Sequence, residues 1–497
     1  MLEWYKNIPL FSILISLAAA IITPLIKNKK CAAVITTSLI ATVLLASVIL
    51  SVCIVPSNEV FIYQAGYFSA PWGNELKCGV FESVMASVFA FVMLFSVFGG
   101  LKDLKYDLEN KTSQYYYMML DLLLASMLAI IYSNDIFTCY VFIEINTVGA
   151  FFIVMAKEKD DTYLATVRYF IVSMLASGLI LFSIAILYTV TGHLNMLYLF
   201  ESIQLLWESG SYRLPVLVAA GMMCVGLTVK SALFPFHAWL PKASSAATVT
   251  SSAILSSLIT KGYIVLLIKV FYRVFGIEFI RETNISNVLF VFGVIAMIYG
   301  SVKAMRQTDI KKMIACSSIS QIGYIYAGIG LASPLGLAAA VYHIITHAVT
   351  KADMFLIAGN MISYSKTRDL RKMRDIGPKM PVTMAMFVIC ALSMIGIPLL
   401  MGFISKWNLA QAAIDGENRV LIIALTLSTL LNASYYFPPI IRGCFSKEAR
   451  TAEKFTSQAP FKEIWSQIVL TLVIVLMGLF SAPLSALINT GLADLIG

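Results

Sequence analysis

The sequence is poor in charge, because only 13% of its 497 residues are Asp, Glu, Lys or Arg. Roughly a quarter of the residues of a soluble domain are charged. Here 59% of the residues are hydrophobic and the mean hydropathy is +0.84, which excludes a soluble protein. Short alternating strands, the pattern of a membrane β-barrel, are also absent. We therefore expect an all-α polytopic membrane protein, since helices satisfy their own backbone in lipid.

Motifs for cofactors are lacking as well. The eight cysteines stand singly, with no Cys-x-x-Cys spacing, which argues against a disulfide framework and against an iron–sulfur or zinc site. No nicotinamide, flavin or quinone motif is present, so we predict no cofactor and no metal, and any redox chemistry is left to partner subunits. The first apolar run lacks an Ala-x-Ala cleavage site and is interpreted as a span rather than a signal peptide.

Apolar segments recur from one end of the chain to the other and predict about 14 transmembrane helices. They lie near 8–26, 32–55, 79–101, 113–132, 135–156, 163–190, 214–240, 247–272, 286–304, 310–331, 334–358, 381–404, 420–441 and 464–490.

Basic residues are distributed unevenly between the loops. Most of the 36 lysines and arginines fall in the odd-numbered loops, and few fall in the even-numbered loops or at the termini. The positive-inside rule then puts the odd loops in the cytoplasm and both termini on the outer side of the plasma membrane. The net charge of +9 is explained by these loops and predicts no nucleic-acid partner.

Several charged residues fall inside the apolar segments, where each costs about 2.5–3.5 kcal/mol at the bilayer centre and usually marks a functional site. Lys230 and Lys261 lie in mid-segment, and Glu144 is predicted to partner Lys230. Lys269 is near a segment end and is predicted to snorkel to the interface. Arg168 lies one turn inside the sixth segment, as either a site residue or an interface residue.

The eleventh segment carries a row of polar groups on one helix face. His343, His347 and Lys351 are spaced by four residues and therefore stack along the helix. Two histidines at this spacing can bind zinc, but no third ligand follows at a recognisable spacing, so we favour a proton relay. Asp353 is expected to balance the charge or to cap the cytoplasmic end of the helix.

Two segments are interrupted by proline. Pro235 follows Lys230, with His237 just after it, and Pro398 precedes Lys406. Proline removes a backbone hydrogen bond, and paired broken helices are typical of inverted repeats. We predict helices 1–3 in 1–112, a first repeat of helices 4–8 in 113–275, a second repeat of helices 9–13 in 286–445 and helix 14 in 446–497. Helices 7 and 12 are the broken ones.

Four stretches resemble the antiporter-like subunit family: "VKSALFPFHAWLP", "RQTDIKKMIACSSISQIGYIYAG", "YHIITHAVTKADMFLIAG" and "IGIPLLMGFISKW". This family includes the D-type subunit of Mrp Na⁺/H⁺ antiporters, the proton-pumping membrane subunits of complex I and their counterparts in membrane-bound hydrogenases. The resemblance implies fourteen helices with two inverted five-helix repeats.

The resemblance also implies site residues. The family's Glu/Lys pair falls on Glu144 and Lys230, its central lysine on Lys261 and its terminal lysine on Lys406, while its histidine-bearing helix carries His343 and His347. The chain departs from the family after "HAWLP", where Lys242 and Ser244 replace an acid and a histidine.

The implied function is proton translocation along this row of residues, within a complex of other integral membrane subunits. Three alternatives stay open. The chain is a cation (Na⁺)/H⁺ antiporter subunit of the Mrp D type, a proton- or sodium-pumping subunit of a redox complex, or a scaffold that transports nothing. The buried charges argue against a scaffold.

Overall fold

The computed structural model describes residues 4–374, 376–445 and 459–496, and helices dominate these ranges. The first nine α-helices are α1 (Ile8–Ile22), α2 (Lys29–Ile54), α3 (Val80–Asp107), α4 (Asn110–Tyr132), α5 (Ile136–Met155), α6 (Asp160–Thr191), α7 (Met196–Ser209), α8 (Arg213–Lys230) and α9 (Trp239–Ala246). The next twelve are α10 (Val249–Ile254), α11 (Thr260–Val270), α12 (Ile277–Glu282), α13 (Ile285–Met305), α14 (Ile310–Gly330), α15 (Pro334–Ser365), α16 (Ile376–Lys379), α17 (Pro381–Ile395), α18 (Met401–Asp415), α19 (Arg419–Phe445), α20 (Phe461–Leu479) and α21 (Ser481–Ile496).

The helices confirm the predicted class, an all-α polytopic membrane protein. Within the described ranges, 11 helices are long and apolar enough to cross a membrane. The other three predicted segments coincide with α14, with α15 and with the broken pair α17–α18. Polar side chains in α14 and α15 lower the hydropathy of these two helices, and the same side chains form the site described below.

Both predicted interruptions are present. The first lies between α8, which ends at Lys230, and a single turn of 3₁₀ helix at Phe236–Ala238 that leads into α9. The second lies between α17 and α18, where Gly396 has φ +98° and Pro398 follows. Each break leaves backbone carbonyl groups without helical partners. Trp239 Nε1 donates to the Val229 carbonyl at the first break, and the Lys406 ammonium donates to the Met394 and Ile395 carbonyls at the second.

Three elements differ from the sequence prediction. The last segment is two helices, α20 and α21, separated at Phe480. The amphipathic helix α7 and an antiparallel pair of strands, β1 (Phe61–Gln64) and β2 (Glu75–Cys78), lie in loops that the hydropathy pattern left unassigned. Helix α7 and the two strands are too short or too polar to give an apolar signal of spanning length.

Contacts between loops place the two ends of the chain on one face of the bundle. The Lys6 ammonium lies 2.8 Å from the Glu59 carboxylate in the loop after α2, and Asp494 near the C-terminus pairs with Lys77 at 3.1 Å. On the opposite face, Lys102 pairs with Glu463 at 2.5 Å. Both ends of the chain and the loop after α2 therefore lie on one face of the bundle.

The centre of the bundle is formed by α10, α11, α14 and α15, whose residues are almost all buried. The halves of the bundle meet there, since α10 packs against α15 and α9 packs against α14. N-caps fix the starts of three of these helices, with Thr248, Asp309 and Ser333 each accepting a backbone N–H.

Candidate proton-relay site

Lys230 is the last residue of α8 and is 2% exposed. Its ammonium donates to Thr147 Oγ1 at 2.8 Å and to Ser173 Oγ at 3.0 Å, and lies 5.5 Å from the centre of the Tyr263 ring. Two hydroxyls and an aromatic face therefore replace the hydration shell of the charge.

Glu144 lies one turn from Thr147 on the same face of α5. The Lys230 ammonium is bonded to hydroxyls and not to the Glu144 carboxylate. Glu144 Oε1 is buried and has no hydrogen-bond partner among the described residues. Lys230 therefore contacts α5 about one helical turn from Glu144, and the two predicted partners form no ion pair in this structure.

His237 lies at the break after Lys230 and is 4% exposed. Its ring stacks on Phe234 at a centroid distance of 5.5 Å and meets Tyr299 of α13 edge-on at 4.8 Å. Neither ring nitrogen has a partner among the described side chains, so the imidazole can accept or donate a hydrogen bond to water.

Lys261 lies directly after a π-helical turn, Leu255–Ile259, and is fully buried. A π turn leaves a carbonyl outside the normal i to i−4 pattern and is frequent at functional sites. The Lys261 ammonium donates to the Ser256 carbonyl within this turn at 2.5 Å and to Thr260 Oγ1 at 3.1 Å. The irregular turn therefore builds the site of the central lysine.

A hydroxyl contact joins this turn to the second half of the bundle. Ser256 Oγ lies 2.8 Å from Ser318 Oγ on α14. The neighbouring Ser317 accepts a short hydrogen bond from the Lys351 ammonium, which also donates to the Ile314 carbonyl at 3.0 Å. Lys351 thus stands across α14 from Lys261.

The two histidines continue the row along α15. The rings of His343 and His347 are stacked with centroids 6.3 Å apart. His343 Nδ1 lies 2.9 Å from Ser405 Oγ, whereas both nitrogens of His347 and Nε2 of His343 have no partner among the described side chains. Buried polar atoms of this kind are normally satisfied by ordered water.

Lys406 ends the row in α18, one residue after Ser405. Its ammonium donates to the carbonyls of Met394 and Ile395 at 2.7 and 2.9 Å and lies 4.8 Å from the centre of the Tyr324 ring. These carbonyls end α17, so the lysine caps the C-terminus of the interrupted helix.

Two residues differ from the roles expected of them, and a third, Arg168, lies at the surface as one of its two alternatives predicted. Lys269 does not snorkel: it is fully buried, and it donates to the carbonyls of Ile130, Ile131 and Ser133 at the end of α4. Asp353 does not cap α15, which ends at Ser365. Arg168 is exposed on the surface of α6, away from the buried row.

Asp353 faces α17 and α20 instead of the lysines. Its Oδ2 accepts hydrogen bonds from Thr471 Oγ1 at 2.6 Å and from Cys390 Sγ at 3.3 Å, and no ion pair joins it to Lys351. Spacing along the sequence put it near the charged row, but the helix turns its side chain to another face.

Asp121 is a buried acid that the sequence analysis did not single out. It is the one acidic residue in the apolar run of α4, "YYYMMLDLLLASMLAI", and it is 0% exposed. The same rule that singled out Glu144, a charge within a span, would have found it.

Comparisons with known proteins identify the family of the chain. Residues 133–432 match the family model described as NADH:quinone oxidoreductase/Mrp antiporter, TM. The chain belongs to this family. The matched range contains every residue of the buried row from Glu144 to Lys406.

Two relatives come from the two branches of the family. The chain is 32% identical to NADH-quinone oxidoreductase subunit N of Desulforudis audaxviator, with 85% of each chain covered. It is 29% identical to the D-type subunit of the Na(+)/H(+) antiporter of Alkalihalophilus pseudofirmus, with 84% of this chain and 82% of the relative covered.

Two solved structures share the fold. A chain of the archaeal membrane-bound sulfane sulfur reductase superposes with a TM-score of 0.90 at 24% identity, covering 99% of this chain and 98% of the other. A chain of the Mrp complex from Dietzia sp. DQ12-45-1b gives 0.88 at 20% identity, covering 100% and 98%.

Proposed function

We propose that this chain is a proton-translocating, antiporter-like subunit of a multisubunit membrane complex. The observation that carries the proposal is the buried row of ionisable side chains that crosses both interrupted helices. In order it comprises Glu144, Lys230, Lys261, Lys351, His347, His343 and Lys406. Groups so costly to bury are retained in membranes chiefly where ions or protons move.

The proposed route runs parallel to the membrane plane. A proton leaves Lys230 for Lys261, passes the Ser256–Ser318 contact to Lys351, and continues over the stacked histidines to Lys406. Water fills the gaps between the lysines, since their contacts in the structure are to hydroxyls and carbonyls.

Glu144 is the proposed switch at the start of this route. When the Lys230 ammonium moves one turn along α5 to the Glu144 carboxylate, the ion pair stabilises the protonated lysine. When the ammonium is instead bonded to the hydroxyls of Thr147 and Ser173, its proton can leave. The transfer conserves charge because the ammonium becomes an amine as the acceptor lysine becomes an ammonium.

The paired repeats belong to the same proposal, with 113–275 as the first and 286–445 as the second. The packing supports them: α6 contacts both halves of its broken neighbour, α8 and α9, and α15 contacts both halves of its own, α17 and α18. The lysine precedes the break in the first repeat and follows it in the second, so the two lysines do not occupy equivalent positions of the repeats.

Two kinds of complex are candidates. Likeness to the D-type antiporter subunit supports cation (Na⁺)/H⁺ antiport, as does the lysine at 406. Likeness to the N-type oxidoreductase subunit and to the sulfane sulfur reductase chain supports a redox-driven pump of protons or sodium ions. We further propose that the chain lies among other membrane subunits in the plasma membrane, with its termini on the outer side, because basic residues are concentrated in the odd-numbered loops.

The relay is tested by Lys261→Met in the complex that contains the chain, reconstituted in liposomes with a pH-sensitive dye inside. We expect proton transport to fall about 100-fold or more, the range that a positioned proton carrier supplies. Glu144→Gln should cause a similar loss, because the amide cannot hold the ammonium as an ion pair.

The matched control is Lys242→Met, which removes an exposed lysine and should leave transport unchanged. Assembly is checked by recovery of intact complex from the membrane. Full transport by assembled Lys261→Met complex would refute the relay. Repeating the assay with choline in place of sodium separates sodium-coupled exchange from sodium-independent proton pumping.

A further inference from the structure

Asp121 lies outside the proposed relay, between α4 and the N-terminal helices. Its Oδ2 is 2.8 Å from Thr23 Oγ1, at the end of α1, and 3.1 Å from Thr36 Oγ1 in α2. Asp121, Thr23 and Thr36 are all 0% exposed. Three helices therefore enclose one carboxyl group and two hydroxyls.

No charged residue balances this carboxyl group. The main elements that pack on α4 are α1, the turn Thr23–Leu25, α2, α3, α5, α11 and β2. Their charged side chains in the described ranges are Lys29, Lys30, Glu75, Lys77, Glu82, Lys102, Asp103, Lys105, Asp107, Glu144, Lys261 and Lys269. None of these forms a hydrogen bond or an ion pair with Asp121, whose hydrogen bonds in the described ranges are to the two threonines. An ionised carboxylate here would be a buried charge without a counter-ion, which is strongly unfavourable.

The number of protons on Thr23, Thr36 and Asp121 limits which of these groups can donate in each hydrogen bond. Thr23 Oγ1 is 2.8 Å from two acceptors, Asp121 Oδ2 and the Ala19 carbonyl, but a hydroxyl has one proton to donate. If Thr23 donates to Ala19, the contact with Asp121 needs a proton from the acid. Asp121 then donates to Thr23, Thr23 donates to Ala19, and Thr36 donates to Oδ2.

The other carboxyl oxygen agrees with this assignment. Asp121 Oδ1 is buried and has no hydrogen-bond partner among the described residues. In a neutral acid Oδ1 is the carbonyl oxygen. Burying a carbonyl oxygen without a hydrogen-bond donor costs less free energy than burying an oxygen of an ionised carboxylate without a counter-ion.

We propose that Asp121, with Thr23 and Thr36, forms a second proton-binding site in the N-terminal helices, separate from the lysine relay. Loss of the proton leaves a carboxylate, and the Thr23 hydroxyl then turns its own proton from the Ala19 carbonyl to Asp121. Binding reverses both changes. The proposal uses no residue of the relay and stands independently of it.

The test is infrared spectroscopy of the purified complex, because a carboxylic acid has a C=O stretching band that a carboxylate lacks. Wild type at about pH 7, where a free Asp is ionised, should show a band that is absent from Asp121→Asn and that shifts in D₂O. Asp353→Asn is the matched control: it removes the other fully buried Asp bonded by threonine and should leave the Asp121 band in place.

Thr23→Val keeps the acid and removes the acceptor of its proton, so the band should move to higher frequency. This variant also decides the question if Asp121→Asn fails to assemble. Absence of any band that depends on Asp121 would show an ionised group and overturn the proposal. A band seen in choline buffer and lost in sodium buffer would show a sodium site and overturn it equally.

Discussion

Replacing Lys351 or Lys406 by methionine separates the transport role of a buried lysine from its structural role. Methionine keeps most of the side-chain volume and removes the ammonium. Both variants should lose proton transport by about 100-fold or more, since each removes a proton carrier from the proposed relay. Their effects on stability should differ, because the two ammonium groups have different partners.

Removing the Lys351 ammonium leaves none of its partner atoms without another hydrogen bond. The Ile314 carbonyl still accepts from Ser317 Oγ at 2.8 Å and from Ser318 Oγ at 3.1 Å, and Ser317 keeps Tyr436 at 3.0 Å. The three hydrogen bonds that the ammonium donates, to the Ile314 carbonyl, to Ser317 Oγ and to Tyr436 Oη at 3.4 Å, are lost at about 1.5 kcal/mol each. Removal of a buried charge that costs about 3 kcal/mol offsets most of that loss, so we expect a net change of about 1–2 kcal/mol.

Removing the Lys406 ammonium leaves the Ile395 carbonyl at the end of α17 without a side-chain donor, whereas the Met394 carbonyl keeps a long hydrogen bond from Asn432 Nδ2 at 3.5 Å. A buried polar group without a partner costs about 1–3 kcal/mol, and this cost falls mainly on Ile395. The loss of the two lysine bonds is again offset by removal of the charge. Lys406→Met should therefore lose about 2 kcal/mol or more and be the less stable variant.

The assays are proton transport in liposomes and thermal unfolding of the purified complex, with Lys242→Met as the control in both. Transport at the wild-type rate by either variant would refute its place in the relay. A Lys351→Met complex less stable than Lys406→Met would refute the account of their hydrogen bonds.

Three further changes test the structure elsewhere. Lys269→Met should destabilise the complex by about 3 kcal/mol or more in thermal unfolding, because three buried carbonyls at the end of α4 lose their donor. An unchanged stability would contradict that contact. Gly396→Ala should reduce transport with little loss of assembly, since φ +98° is strained for alanine and the new Cβ would lie 3.0 Å from Cδ of Lys406; wild-type transport would contradict it. Hydrogen bonds from Lys6 and Tyr5 lower the pKa of Glu59, so their stabilisation is present at neutral pH and is lost as the pH falls through that lowered pKa. Glu59→Gln should therefore lower the free energy of unfolding by less than about 1 kcal/mol at neutral pH and should not change it in acid. Equal losses at both pH values would contradict the ion pair.

The sequence alone determined the class of protein and most of the candidate site. Apolar runs of spanning length require helices in lipid, and a charge within such a run is costly wherever it lies. Lys230, Lys261 and Lys406 are therefore visible without a structure, and so are the breaks at Pro235 and Pro398. Asp121 was equally visible and was overlooked.

Only the tertiary structure decided which groups meet. The π turn before Lys261, the Ser256–Ser318 contact and the place of Lys351 depend on how α10, α14 and α15 pack, and hydropathy carries no information on packing. The same holds for Asp353, whose direction is set by its neighbours in α17 and α20. The sequence gives the cost of burying each charge, whereas the partners that offset the cost come from distant parts of the chain.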